Sequence, residues 1–495
     1  MGRRGVLAAA VAVIMCVTIP PAGAAPALAK PYDFDGNRFV DLAVGAPSMR
    51  VGSVRAAGGV VVLPSSKKGL SRREKVITQS SSGVPGSSER DDQFGHAVTS
   101  ADFNKDGYAD LAVGQPGEAI GADWDAGSVT VIYGSKKGLN PKRSIVLTQP
   151  GGARIESRWG SSLVAFDSNV DGYPDLAVGA PGSYESGGGM GGSVSIFAGG
   201  SQGLGVRAVA VVTAQPESDP EIVEQDGDMQ FGAGLATGDL DGDRDTDLVI
   251  LSTGSDSEGN WYPASVTTCP AQTGRIGACR RILHDNGLYG YTSIAVGNMS
   301  GDAVPEIVLG SEEFTEELGP GFVSVLRLSR SGGLSVASVT TIVQSSRGVP
   351  GSDEEGDAFG QSVMLGDIDR DGYADLVVGA PGENSDRGQV TVIHGAAGGW
   401  RATGNYSYSQ KTKGVPGSAE KGDSFGAGLT LLDHNRDGRL DLTVGAPGEN
   451  KRAGVITTLP GSGKKFSTSK SHTLGLKSLK YRYPAGARFG NNLGR

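Results

Sequence analysis

The residue types best suited to chemistry in this chain lie between Asp367 and Pro381, in the stretch DIDRDGYADLVVGAP. Asp367, Asp369, Asp371 and Asp375 stand at positions 1, 3, 5 and 9 of a nine-residue loop, and Gly372 follows the third of them. Hard oxygen donors at alternate positions around a sharp Gly turn can wrap one Ca²⁺. With no cation, carboxylates this close repel one another. A short apolar run, Leu376 to Val378, and then Gly-Ala-Pro follow the loop, and Phe359-Gly360 stands eight residues before it.

The same pattern recurs along the chain. The further sets are Asp33, Asp35, Asn37, Asp41; Asp102, Asn104, Asp106, Asp110; Asp167, Asn169, Asp171, Asp175; Asp239, Asp241, Asp243, Asp247; and Asp433, Asn435, Asp437, Asp441. At position 7 a backbone carbonyl can add a fifth ligand, from Tyr108, Tyr173, Asp245, Tyr373 or Arg439. A seventh copy, Asn298, Ser300, Asp302, Glu306, carries only two charges and is expected to be an empty structural turn. Arg38 and Arg244 stand where Gly occurs in the other loops. One Asp-rich turn would be a weak signal, because Asp, Asn and Gly also build ordinary turns. Six copies with the same flanks are a strong one. An EF-hand would need a Glu at position 12 and flanking helices. In the second loop that position is Val113, inside an apolar run, so the sites are β-type Ca²⁺ loops. Mg²⁺ demands stricter geometry and resists dehydration. About six Ca²⁺ sites are therefore expected, with affinities of roughly 10⁻⁴ to 10⁻³ M or somewhat tighter.

Repeating loops need repeating elements to hold them. The copies are spaced roughly 60 to 70 residues apart in a 495-residue chain with 80 Gly. That period, filled with short β-branched runs between Gly-rich turns, predicts an all-β fold of propeller blades. Each unit reads as Phe-Gly and a first strand, the acidic loop, a second strand ending at Gly-Ala-Pro, and two more strands. Third strands are expected at Gly127 to Gly134, Gly192 to Ala198 and Gly388 to Gly395, and fourth strands at Ser144 to Gln149, Ala208 to Gln215 and Tyr406 to Gln410. Three units carry GVPG before the next Phe-Gly, at 83–86, 348–351 and 414–417, read as an inter-blade turn or a partner contact. The first unit lacks its Phe-Gly, while Phe489-Gly490 stands at the C-terminus with no loop after it. The expectation is a seven-bladed β-propeller closed by the C-terminal strand pairing into blade one, which removes the free sheet edges.

Residues 1–29 read as a secretory signal peptide: Arg3 and Arg4, an apolar run from Val6 to Ile19, and a cleavage site at Ala27-Leu28-Ala29. The Arg pair also fits a twin-arginine signal loosely. No later run reaches the length of a membrane span. The mature chain, 30–495, is expected to be secreted and monomeric. Cys269 and Cys279 flank PAQTGRIGA and are expected to form a disulfide, two buried thiols being the alternative. The formal charge of −9 argues against a nucleic-acid partner. Much of that acidity is explained as a metal inventory. Of the five His, His96 is placed in a first strand, His394 at the end of a third strand and His434 at an outward loop position. None is paired with a nucleophile motif, and each reads as structural. Trp124, Trp261 and Trp400 are placed in Gly-rich loops, as packing residues or as a sugar- or peptide-binding face.

Phe-Gly, the DxNxDGxxD loop and Gly-Ala-Pro in fixed phase resemble the FG-GAP repeat family, whose repeats form the N-terminal β-propeller of integrin α subunits. The resemblance covers about Lys30 to Arg495 and is to a secreted bacterial member. It implies a seven-bladed propeller with Ca²⁺ in loops on one face and partners on the opposite face and rim. Two departures stand out: six calcium loops in place of three or four, and no thigh, transmembrane or tail region after the repeats. The leading expectation is a calcium-binding module for adhesion to an extracellular protein or glycan. The alternatives are a hydrolase or lyase with a site near the central axis, and a structural wall or spore component. Fold likeness alone does not choose among them.

Overall fold

In the computed structural model the described residues are 28–182, 191–213, 230–255, 261–284, 290–315, 319–479, 481–482 and 484–494. The expected signal segment lies outside them except for Leu28 and Ala29. Seven four-stranded antiparallel sheets succeed one another along the chain. Blade two is typical: Ala97–Ala101, Asp110–Gln115, Ser128–Ile132 and Ile145–Thr148 pair in order. The expected third and fourth strands are each present, shorter by a residue or more at their ends: Ser193–Phe197 and Gln389–Ile393, then Ala210–Thr213 and Tyr406–Tyr408. Ala214 and Gln215 lie outside the described residues.

Second strands such as Asp110–Gln115, Asp175–Ala180, Asp375–Ala380 and Asp441–Ala446 are buried at every position. A strand covered on both faces reads as a continuous apolar run rather than an alternating one. The covering comes from neighbouring blades. Each of the seven hydrophobic clusters joins two consecutive blades, as where Val60 and Val62 of blade one meet Phe94, Val98 and Leu111 of blade two.

The fixed phase of the motifs follows from this stacking. A Cβ on Gly114, in the Gly-Gln-Pro of blade two, would overlap the carbonyl of Gly160, in the Trp-Gly of blade three. Only glycine lets the two backbones approach so closely. Blades four and five lack Gly-Ala-Pro, and without its proline the second strand is free to run on. Asp247–Ser255 and Glu306–Thr315 are accordingly longer than their counterparts.

The ring closes as expected. Asn492–Leu493 pairs with Leu42–Gly45 as the innermost strand of blade one, Val44 opposite Leu493. Phe489 is fully buried in the cluster between blades seven and one. Tyr481 Oη donates to the carbonyl of Arg50 at 2.6 Å across the same junction. Cys269 and Cys279 form a disulfide under the turn that joins the last two strands of blade four.

Some placements differ from expectation. His434 does not face outward: it is fully buried, and its Nδ1 lies 2.7 Å from the carbonyl oxygen of Val40, joining blade seven to blade one. The acidic loops pack against the next blade, so their second residue turns inward. Trp261 begins the strand Trp261–Cys269, because blade four's extended hairpin reaches it; Trp400 ends the short strand Gly399–Trp400, paired with Gly395–Ala396, and His96 lies one residue before the first strand Ala97–Ala101.

Candidate metal centres

Each acidic loop joins the first and second strands of its blade, so all of them lie at one end of the ring. The loop conformation requires two left-handed residues. In loops two, three, six and seven these are position 4 (Lys105, Val170, Arg370, Arg436) and the Gly at position 6. In loops one and four the order is reversed: Gly36 and Gly242 take position 4, and Arg38 and Arg244 take position 6 with φ of 72° and 77°. One Gly suffices, at either place, so the two Arg do not break the loop. Loop five keeps Gly301 but has Ala303 at position 6 with no left-handed turn.

Backbone N–H groups pre-orient the carboxylates. The position-6 N–H donates to the position-1 carboxylate in all six loops, for example Gly107 to Asp102 at 3.0 Å, Gly438 to Asp433 at 2.9 Å and Arg38 to Asp33 at 2.8 Å. The position-9 carboxylate accepts from position 2 on one oxygen and from the end of the third strand on the other. Asp110 takes Phe103 N–H at 3.1 Å and Gly134 N–H at 2.8 Å; Asp247 takes Leu240 and Ala271 at 2.8 and 3.0 Å. Burial pushes these carboxyls up: Asp110 to about 8, Asp41 and Asp441 to about 7, Asp247 to about 6. A buried acid raised in this way is a group whose charge lacks a counter-ion.

The donors fit a hard cation. Asp33 Oδ1 and Asp369 Oδ1 are buried with no hydrogen-bond partner. One oxygen each of Asp239, Asp241 and Asp247, and one each of Asp367, Asp369 and Asp371, fall within 4.8 Å of one another. The adjacent loops also touch: Ala109 N–H donates to the carbonyl of Asp33 at 3.0 Å, and Lys105 Nζ lies 4.4 Å from the Tyr173 ring centroid.

Cationic side chains near the loops were not apparent from the motif. In loop five Arg327 Nη2 lies 2.8 Å from Asp302 and its Nε 3.8 Å from Glu306. In loop six His394 Nδ1 is 2.9 Å from Asp375 and 3.6 Å from Asp369, and Arg401 Nη2 is 2.9 Å from Asp369. In loop four Arg330 Nη2 is 3.9 Å from Asp239 and its Nε donates to the carbonyl of Leu240 at 2.7 Å. The signal that could have found His394 is its register. It immediately precedes Gly395, whose N–H bonds the position-9 Asp375, just as Gly134 bonds Asp110 in blade two.

These features define a seven-bladed β-propeller whose first hairpins turn through acidic loops at one end. The FG-GAP repeat model matches residues 94–132, 159–197 and 359–393. The chain is similar to phosphatidylinositol-glycan-specific phospholipase D of Bos taurus, 37% identical over 167 residues, 32% of this chain and 18% of that protein. The human protein of that name is 38% identical over 169 residues, again 32% and 18%. It is also similar to integrin alpha pat-2 of Caenorhabditis elegans, 31% identical over 262 residues, 50% of this chain and 20% of that protein. The chain thus spans about a fifth of the length of the curated relatives it matches. It is an integrin-α-like FG-GAP propeller. Among the described residues no helix is long and apolar enough to cross a membrane.

Proposed function

We propose that this chain is a secreted, calcium-stabilised binding module that presents its propeller surface to an extracellular protein or glycan. The observation that carries the calcium reading is the orphaned acidity of the loops. Buried carboxylate oxygens without partners, Asp33 Oδ1 and Asp369 Oδ1 among them, sit within preformed turns that recur around the ring. Loops one, two, three, four, six and seven would hold Ca²⁺ through positions 1, 3, 5 and 9 and the carbonyl of position 7. Loop five would not, because it offers only the carboxylates of Asp302 and Glu306 and Arg327 lies beside both.

The test has two arms. Calorimetric melts with calcium and with EDTA should differ in midpoint, and equal midpoints would remove the metal. Affinity capture from the organism's secreted and surface fractions, eluted with EDTA, should release a specific protein or glycan. A column that retains nothing from either fraction would overturn the binding reading.

The enzyme alternative gains no support from the axis. A cavity of about 280 Å³ there is lined by the first strands, with Ser161, Thr292 and Asn492 among its polar groups. His96 is the one ionisable side chain in that described lining. Among the described residues no acid–base pair lines it.

A further inference from the structure

The three GVPG turns occupy junctions one/two, five/six and six/seven, and under each lies the same buried constellation. A Gln two residues past the fourth strand of one blade donates to a Glu of the next, and that Glu lies beside a buried Asp. Gln79 Nε2 donates to Glu118 at 2.6 Å, Gln344 to Glu383 at 2.5 Å and Gln410 to Glu449 at 2.7 Å. The Asp stands two residues before the Phe-Gly: Asp92, Asp357 and Asp423, exposed by only 2%, 1% and 3%. Antiparallel strand order puts the 4–1 and 2–3 connections at the end of the ring opposite the acidic loops, so these clusters are separate from the candidate calcium loops.

Three observations point to a missing ligand. At junction five/six, one oxygen each of Glu354, Asp357 and Glu383 lie within 4.8 Å of one another. The Gln side chains are nine-tenths buried or more, yet Oε1 of Gln79, Gln344 and Gln410 has no hydrogen-bond partner in any of the three junctions. A buried amide carbonyl left unpaired is costly, and its recurrence in three copies is not an accident of one side chain. Junction two/three supplies the control. There the Asp is replaced by Ser157, and Gln149 Oε1 accepts its hydroxyl at 2.9 Å. Where a donor stands in the Asp position the carbonyl is satisfied; where a carboxylate stands there, that position offers it no donor and Oε1 is left unpaired.

The last Gly of each GVPG explains the turn. Gly86, Gly351 and Gly417 all have positive φ and lie over the Gln amide, where a Cβ would come within 2.8 to 3.4 Å of Nε2. The turn holds the amide against the carboxylates.

We propose that junctions one/two, five/six and six/seven each bind a second divalent cation, of the hard, oxygen-seeking kind such as Ca²⁺, through Asp92, Asp357 or Asp423, the neighbouring Glu118, Glu383 or Glu449, and the amide oxygen of Gln79, Gln344 or Gln410. Amide and carboxylate oxygens are the ordinary ligands of such ions. The cation ties the outer strand of one blade to the entry of the next.

Native mass spectrometry of the full chain in calcium counts the ions. The D92N/D357N/D423N variant should carry three fewer than the wild type, and D357N alone one fewer. Asp102→Asn should remove one ion from the loop set while leaving the junction set intact, so the two readings fail separately. An unchanged count in the triple variant overturns the proposal. Should that variant not fold, Mn²⁺ anomalous scattering from crystals of the wild-type chain decides it: a peak between Gln344 and Asp357 supports the site, and a peak confined to the acidic loops overturns it.

Discussion

The Arg327 guanidinium lies 2.8 Å from the Asp302 carboxylate and 3.8 Å from Glu306, whose side chain is 1% exposed. A protein cation thus occupies the one acidic loop that keeps only two charges. Loop five has the hairpin of its neighbours but a built-in counter-ion, which fixes it independently of solution calcium. Arg327→Ala should lower stability by about 1–3 kcal/mol, chiefly because buried Glu306 loses the positive charge beside it and keeps only its backbone donors. Added calcium should not restore it. Denaturant unfolding at low and high calcium checks this, and full rescue by calcium would show that loop five binds metal after all.

The buried position-9 carboxyls set a pH dependence with a definite sign. Asp41, Asp110 and Asp441 are raised to about 7, 8 and 7 by burial, well above their unfolded values. Without metal the folded state therefore binds more protons than the unfolded chain between about pH 4 and 8, and stability falls as pH rises through that window. Calcium supplies the missing positive charge. In EDTA the melting temperature should be higher at pH 5 than at pH 8, and the stabilisation by calcium should grow as pH rises. A calcium effect that shrinks toward pH 8 would contradict this.

His434 acts in the opposite sense. Fully buried beside the Val40 carbonyl, its imidazole is lowered to about 4 by burial. Its contribution is complete above the unfolded value of about 6.5 and is lost as pH falls toward 4, because the unfolded chain takes up the proton first. His434→Gln should lower stability at pH 8 through the lost junction contact and, beyond that constant loss, flatten the acid limb of the stability curve. Chemical unfolding at pH 5 and pH 8 measures the difference.

Closure by the C-terminal strand is tested by removing residues 488–495. This takes away buried Phe489 and the Leu493 pairing with Val44 and frees the inner edge of the strand Leu42–Gly45. Loss of a buried Phe side chain alone costs about 3–5 kcal/mol. The truncated chain should melt well below the full chain and tend to associate through its open edge. An unchanged melting temperature would refute the closure.

The fold was legible because its constraints are local and repeated. Phe94-Gly95 and Gly-Ala-Pro keep phase since glycines of adjacent blades touch, and Phe489 betrayed the closing strand by lacking a loop of its own. The acidic sets were legible for the same reason. What the sequence did not reveal depends on register between units. Arg327, His394 and Arg401 reach the loops from third strands and from the connections that follow them, which differ in length, so no fixed offset marks them. His434 looked outward because a single hairpin gives no sign that the next blade will cover it. The Gln–Glu–Asp clusters draw on two blades and span 39 residues between Gln344 and Glu383.

The closure of blade one also bears on how the chain can be rearranged. Gly494 N–H donates to the carbonyl of Ala43 at 3.2 Å, and Gly494 lies against the ring of Tyr32. The two ends of the propeller are thus neighbours, and the seam lies within one sheet. A circular permutant that joins them by a short Gly-rich linker, and opens at an exposed turn such as Lys136–Gly138, would keep every strand pairing named above while moving the seam to blade two. The order in which blades leave the ribosome and the position of the last strand to dock would change, with the folded ring the same.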